Sequence, residues 1–166
     1  METQPNGASP DARRTLGRLH VITDFHMQQR LSHADLARRA IRGGADSIQF
    51  RQKHGGIRNQ LVAARNVQSV CTDASLPLII DDRVDLALSV DAAGVHLGQR
   101  DLPISDARTV LGPERLIGAT ATTAGQAAAA CDEGADYIGF GPVFPTSSKR
   151  NPKSVKGPDG LAAACE

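Results

Sequence analysis

An α/β fold built around a parallel sheet is what this sequence predicts, on three observations. Hydrophobic residues make up 40% of the chain and aromatic ones 3%, so the core must be aliphatic; such a core suits a parallel sheet covered by helices. Short apolar runs alternate with longer stretches of helical periodicity. The tripeptide Gly-Ala-Asp recurs at Gly44-Ala45-Asp46 and Gly134-Ala135-Asp136, with Ala92-Ala93-Gly94 in the matching place. Each marks a tight turn from a helix into a strand.

The elements follow in order. Leu19-His20-Val21-Ile22-Thr23 is the first strand. Leu36, Ala37, Ala40 and Ile41 recur at helical spacing, and Gly43-Gly44 ends that helix. Ser47-Ile48-Gln49-Phe50 is the second strand, and residues 57–71 carry Leu61, Ala64, Val67 and Val70 on one helical face. Pro77-Leu78-Ile79-Ile80 is the third strand, with a short helix over 84–90. Gly94-Val95-His96-Leu97 is the fourth, and a helix over 104–111 stops at Gly112-Pro113. Leu116-Ile117-Gly118-Ala119 is the fifth, before an alanine-rich helix over 123–133. Tyr137-Ile138-Gly139-Phe140 is the sixth, and residues 161–166 read as the opening of a sixth helix. Strands starting about 24 residues apart fit right-handed parallel units, whether in a doubly wound sheet or a (β/α)₈ barrel.

The 166 residues imply one domain, residues 18–166, behind a flexible N-terminal tail, residues 1–17. A formal net charge of +1 supplies no field to hold nucleic acid or an anionic membrane. No stretch approaches a membrane span, and the polar N-terminus has no apolar signal-peptide core. The odd number of cysteines, Cys71, Cys131 and Cys165, excludes a complete disulfide framework. They read as reduced packing residues of a cytoplasmic protein.

Function in parallel α/β folds gathers at the carboxyl ends of the strands, and polar residues cluster there. Thr23-Asp24 ends the first strand. Gln49, Arg51 and Lys53 alternate along the second, so an extended strand end points them the same way. Asp81-Asp82 ends the third, Gly98-Gln99-Arg100-Asp101 follows the fourth, and Thr120, Thr122 and Thr123 the fifth. The sixth opens a loop through Thr146, Ser148 and Lys149. Carboxylates on adjacent strand ends suit Mg²⁺, and arginine, lysine and hydroxyl donors around them suit a polyoxygen anion. Together they indicate a Mg²⁺–diphosphate site. Each piece has a plainer reading: Asp82 as a helix cap, Asp101 as a turn residue, the threonines as a cap, and His96 as a packed core histidine.

At these residues the chain resembles the thiamine-phosphate synthase/TenI family. The resemblance runs through Val21-Ile22-Thr23-Asp24, Gln49-x-Arg51-x-Lys53 and Asp82-Arg83-Val84-Asp85-Leu86-Ala87. It continues in Gly94-Val95-His96-Leu97-Gly98-Gln99-x-Asp101 and Asp136-Tyr137-Ile138-Gly139-x-Gly141-Pro142-Val143-Phe144-x-Thr146. It implies a TIM (β/α)₈-type barrel, with about six βα units in this chain. The implied reaction joins an aminopyrimidine-methyl diphosphate to a thiazole phosphate through a pyrimidine carbocation, with loss of pyrophosphate, in thiamine biosynthesis. By match, Asp82 and Asp101 would hold Mg²⁺. Gln49, Arg51, Lys53, Asp81, Thr120, Thr146, Ser148 and Lys149 would bind substrate, with Arg51, Thr120 and Lys149 as the catalytic set.

Three departures stand beside the match. Asp81 replaces the family's asparagine, which adds a charge that attracts metal and repels diphosphate. Thr122 replaces the histidine that the tautomerases of the family use as acid/base, which argues against that activity. The sequence also has no room for the seventh and eighth units, whose loops commonly form a phosphate cup. A barrel short of two units leaves the edges of its first and last strands unpaired: either they pair with a second copy or a partner chain, or the wall closes differently, or the sequence is a fragment. The competing reading is therefore a non-catalytic ligand-binding or regulatory relative.

Overall fold

The computed structural model describes residues 15–146 and 154–165. Strands β1 (His20–Asp24), β2 (Ser47–Arg51), β3 (Leu78–Asp81), β4 (Gly94–Leu97), β5 (Leu116–Ala121) and β6 (Tyr137–Phe140) alternate with helices. These are α1 (His33–Arg42), α2 (Ile57–Asp73), α3 (Val84–Ser89), α4 (Ile104–Leu111), α5 (Ala124–Asp132) and α6 (Gly157–Ala162). The last helix begins at Gly157, ahead of the expected 161, because Pro158 sits in its first turn, where a missing N–H costs nothing.

All strand pairs are parallel and the spatial order is β1-β2-β3-β4-β5-β6. A doubly wound sheet would reverse its order partway. This sheet instead curls progressively, and the His20 and Tyr137 rings of its first and last strands come to 6.5 Å between centroids. That is the wall of a (β/α)₈-type barrel. Ile48, Phe50, Leu78, Ile80, Val95, Leu97 and Ile117 point outward against the helices and are almost wholly buried with Ala37, Ala64, Val67 and Ala107. Each large aliphatic side chain buried there contributes about 1.5–3 kcal/mol. The alternate residues face the hollow of the barrel.

The Gly-Ala-Asp repeat has a structural cause. Gly44 and Gly134 both adopt φ +95°, a left-handed conformation that ends the helix. The following alanine N–H groups then bond back to Ala40 and Ala130, at 3.0 and 2.9 Å. The aspartates tie the turn to the neighbouring strand: Asp46 Oδ2 accepts from the Arg18 and Leu19 N–H groups at 2.8 Å, and Asp136 Oδ2 from Ile117 N–H at 2.7 Å. Well-defined contacts begin before residue 18, since the Leu16 carbonyl accepts from Ser47 Oγ at 2.6 Å. Residues 1–14 of the expected tail lie outside the described residues. No helix among the described residues is long and apolar enough to cross a membrane.

The cysteines divide. Cys71 packs in the core, where burial pushes its thiol up to about 12, whereas Cys131 and Cys165 are exposed. The expectation of three packing cysteines thus holds for one; Cys131 lies on the solvent side of α5 and Cys165 beyond the end of α6. A thiol reagent should label two cysteines in the native protein and the third only after denaturation. Three equally fast labels would contradict the burial of Cys71.

Candidate active site

The parallel register places every strand's carboxyl end on one rim. Asp24 stands opposite Arg51 across β1 and β2, and Asp81 opposite His96 across β3 and β4. Gln49 and Arg51 alternate along β2, and Lys53, just past its end, reaches the same Asp81 oxygen as Arg51, so the three share a side as the period-two spacing predicts. Asp82 follows β3 with φ +62°, a left-handed conformation in which its N–H reaches the His96 carbonyl at 2.8 Å.

These side chains form an alternating chain of charge. Arg51 Nη1 pairs with Asp24, and its Nε lies 3.3 Å from Asp81 Oδ2. Lys53 Nζ lies 3.1 Å from the same Asp81 oxygen and pairs with Asp82. Burial by itself would lower the Lys53 ammonium, but the Asp82 and Asp81 carboxylates outweigh it and hold it above the ordinary lysine value. Burial, reinforced by Asp82, pushes the Asp81 carboxyl up against the pull of Lys53 and Arg51. Asp101 is also raised, by burial and by the neighbouring Asp82 charge, although it accepts from Gly98 N–H at 2.7 Å. The turn reading of Asp101 is therefore correct, and the same side chain still faces Asp82. The cap reading of Asp82 is not: Arg83 occupies the cap position of α3, which has no side-chain cap.

Asp82 and Asp101 are hard oxygen donors, and the charge of Asp82 adds to the cost of ionising Asp101, a cost a divalent cation relieves. Among the described residues no three His, Cys, Asp or Glu side chains converge as a full cage. Two carboxylates are nevertheless what Mg²⁺ takes when phosphate oxygens and water complete its shell. The residues present thus fit that ion.

Below the rim lies a cavity of about 510 Å³ in the hollow of the barrel, bordered by His20, Ile22, Gln49, His96, Thr120 and Tyr137. Gln49 Nε2 lies 3.1 Å from His20 Nε2. His96 bridges Tyr137 Oη at 3.1 Å and Thr120 Oγ1 at 2.9 Å. This corrects the reading of His96 as a packed core histidine. Its position in β4 puts it on the concave face, where Gly118 on β5 leaves room for the Tyr137 ring and Gly139 on β6 for the His96 ring. Burial raises the Tyr137 phenol.

The threonines separate by role. Thr123 caps α5 by accepting from Gln126 N–H at 3.2 Å, and Thr122 donates to Gln126 Oε1 at 2.9 Å. Thr120 bonds to His96, and both Thr120 and Thr122 border the cavity. Thr146 reaches the cavity border, whereas Ser148 and Lys149 lie outside the described residues. Sequence reasoning did not single out His20, Tyr137 or the pairing of Asp24 with Arg51. The period-two rule applied to β1 and β6 would have placed all three on the concave side.

Burial also lowers His20 and His33; for His33 it outweighs the opposing charge of Asp24. A base whose folded value lies below its unfolded one binds protons preferentially when unfolded. Its contribution to stability is complete above about pH 6.5 and is lost as pH falls. The melting temperature should therefore drop from about pH 7 to about pH 5.5. His33→Gln should lose part of that slope, and a slope unchanged in the variant would contradict the assignment.

Comparison with known proteins agrees with this geometry. The family described as thiamine monophosphate synthase matches residues 19–166. The thiamine-phosphate synthase of Salinibacter ruber is 67% identical over 164 residues, covering 99% of this chain and 72% of that protein. The thiamine-phosphate synthase of Chloroflexus aurantiacus is 42% identical over 146 residues, covering 88% of this chain and 67% of that protein. Among solved structures, thiamine phosphate pyrophosphorylase from Pyrococcus furiosus superposes with a TM-score of 0.78 at 37% identity, covering 90% of this chain and 69% of that one.

Proposed function

This chain belongs to the thiamine monophosphate synthase family, and we propose that it joins an aminopyrimidine-methyl diphosphate to a thiazole phosphate, releasing pyrophosphate. The observation that carries this reading is the rim Asp24–Arg51–Asp81–Lys53–Asp82 set beside a half-open cavity that Gln49, two residues before Arg51 on β2, borders. A flat aromatic ring fits the cavity while its diphosphate reaches the cations.

In this reading Arg51 and Lys53 leave their carboxylate partners and take the diphosphate oxygens. By the family match, Thr146, Ser148 and Lys149 would add further donors to the diphosphate. Asp82 and Asp101 would hold Mg²⁺, which when bound neutralises charge on the diphosphate. Gln49 orients the pyrimidine, and Thr120 stands near the breaking C–O bond with its hydroxyl held by His96. The protein then acts through charge stabilisation of the leaving group and positioning of the two rings. Thr122 offers no acid/base group and is engaged with Gln126, so the tautomerase reading has no residue to perform it.

The test is direct. The purified chain, both substrates and Mg²⁺ are mixed, and pyrophosphate and thiamine phosphate are quantified by chromatography. Formation of both products is expected. Pyrophosphate binding by a folded sample that makes no product would replace the synthase reading with that of a ligand-binding relative.

A further inference from the structure

We propose that Asp81 couples the binding of diphosphate to the binding of the divalent cation, so that neither binds tightly without the other. The proposal rests on the synthase reading and adds to it a role for one side chain. Asp81 is the central link of the rim. Through the single oxygen Oδ2 it lies within ion-pair distance of both Arg51 Nε and Lys53 Nζ, yet that oxygen receives no directed hydrogen bond. Its side chain is only 9% exposed, so it cannot swing into solvent when the cations move away.

The charge balance then decides the outcome. Among the described residues, the four carboxylates Asp24, Asp81, Asp82 and Asp101 share this rim with two cations, Arg51 and Lys53. A diphosphate arriving alone must draw Arg51 and Lys53 off Asp81. It would leave a buried carboxylate unpaired beside a new polyanion, which is costly. A divalent cation between Asp82 and Asp101 offsets that charge. Each ligand therefore lowers the cost of the other, and such coupling is reciprocal. Asparagine at this position has nearly the same shape and no charge, so the penalty should vanish while the site keeps its form.

The experiment is calorimetry of inorganic pyrophosphate binding to the wild-type chain and to Asp81→Asn, each with and without Mg²⁺. Pairing of Mg²⁺ with pyrophosphate in solution is common to both proteins and cancels in the comparison. Asp81→Asn is expected to bind metal-free pyrophosphate about tenfold more tightly than wild type. The tightening produced by Mg²⁺ should shrink by about the same factor. A merely structural role for Asp81 would weaken binding in both conditions and leave the ratio unchanged, which would overturn the proposal. If the asparagine variant does not fold, Asp81→Ala removes the same charge and is read in the same way. Wild-type protein that binds no pyrophosphate even with Mg²⁺ overturns the synthase reading itself. Wild-type binding with the same metal dependence in the variant overturns only the role of Asp81.

Discussion

Arg51→Gln is expected to lower kcat/KM for pyrophosphate release by two to three orders of magnitude, a loss of about 2.7–4 kcal/mol of transition-state stabilisation. Arg51 presents its guanidinium between Asp24 and Asp81, at the point where β2 delivers it over the cavity. Its planar fork can take two diphosphate oxygens at once, and the charge on those oxygens grows as the C–O bond breaks. Glutamine is a shorter, uncharged polar side chain, so the variant loses both the charge and the fork. Arg51→Lys should recover part of the rate, because it restores the charge but not the bidentate geometry. Steady-state kinetics with a parallel thermal melt decides the matter. A folded Arg51→Gln protein with wild-type kcat/KM would mean that the diphosphate does not sit on this rim.

Gly94→Ala should destabilise the fold by about 3 kcal/mol, or roughly 6–12 °C in Tm. Gly94 opens β4, paired with Ile79 on one side and Leu116 on the other. A Cβ built there falls inside van der Waals contact of the Leu116 carbonyl and Cβ. Backbone cannot turn aside as a side chain can, so β4 and β5 would have to separate. That separation disturbs the ladder beside Leu116 N–H, which donates to the Ala93 carbonyl at 2.9 Å. The strands that carry Asp81, His96 and Thr120 would lose their common register, so activity should fall with stability. Gly125→Ala is the control: in α5 its added methyl meets nothing within 4 Å, and alanine is the better helix former. Circular dichroism melts of the two variants should diverge. Equal melting temperatures would contradict the close approach of β4 and β5.

The alternation of strands and helices is legible in the chain itself, with β4, α4 and β6 at the predicted limits, because short apolar runs and helical periods are local patterns. The rim is legible as well, since topology sends every strand's carboxyl end to one side. Gln49, Arg51 and Lys53 could be grouped from their spacing alone. Which partners these groups hold emerges only from the folded chain. The Asp24–Arg51 and Asp81–Lys53 pairs join residues more than twenty positions apart, and strand register brings them together. The same holds for His96, whose local sequence is that of a core strand. It faces a cavity because the sheet curls and because Gly139, two strands away on β6, vacates the space that its ring enters. Curvature and register are sums over many long-range contacts, and no local window of the chain contains them.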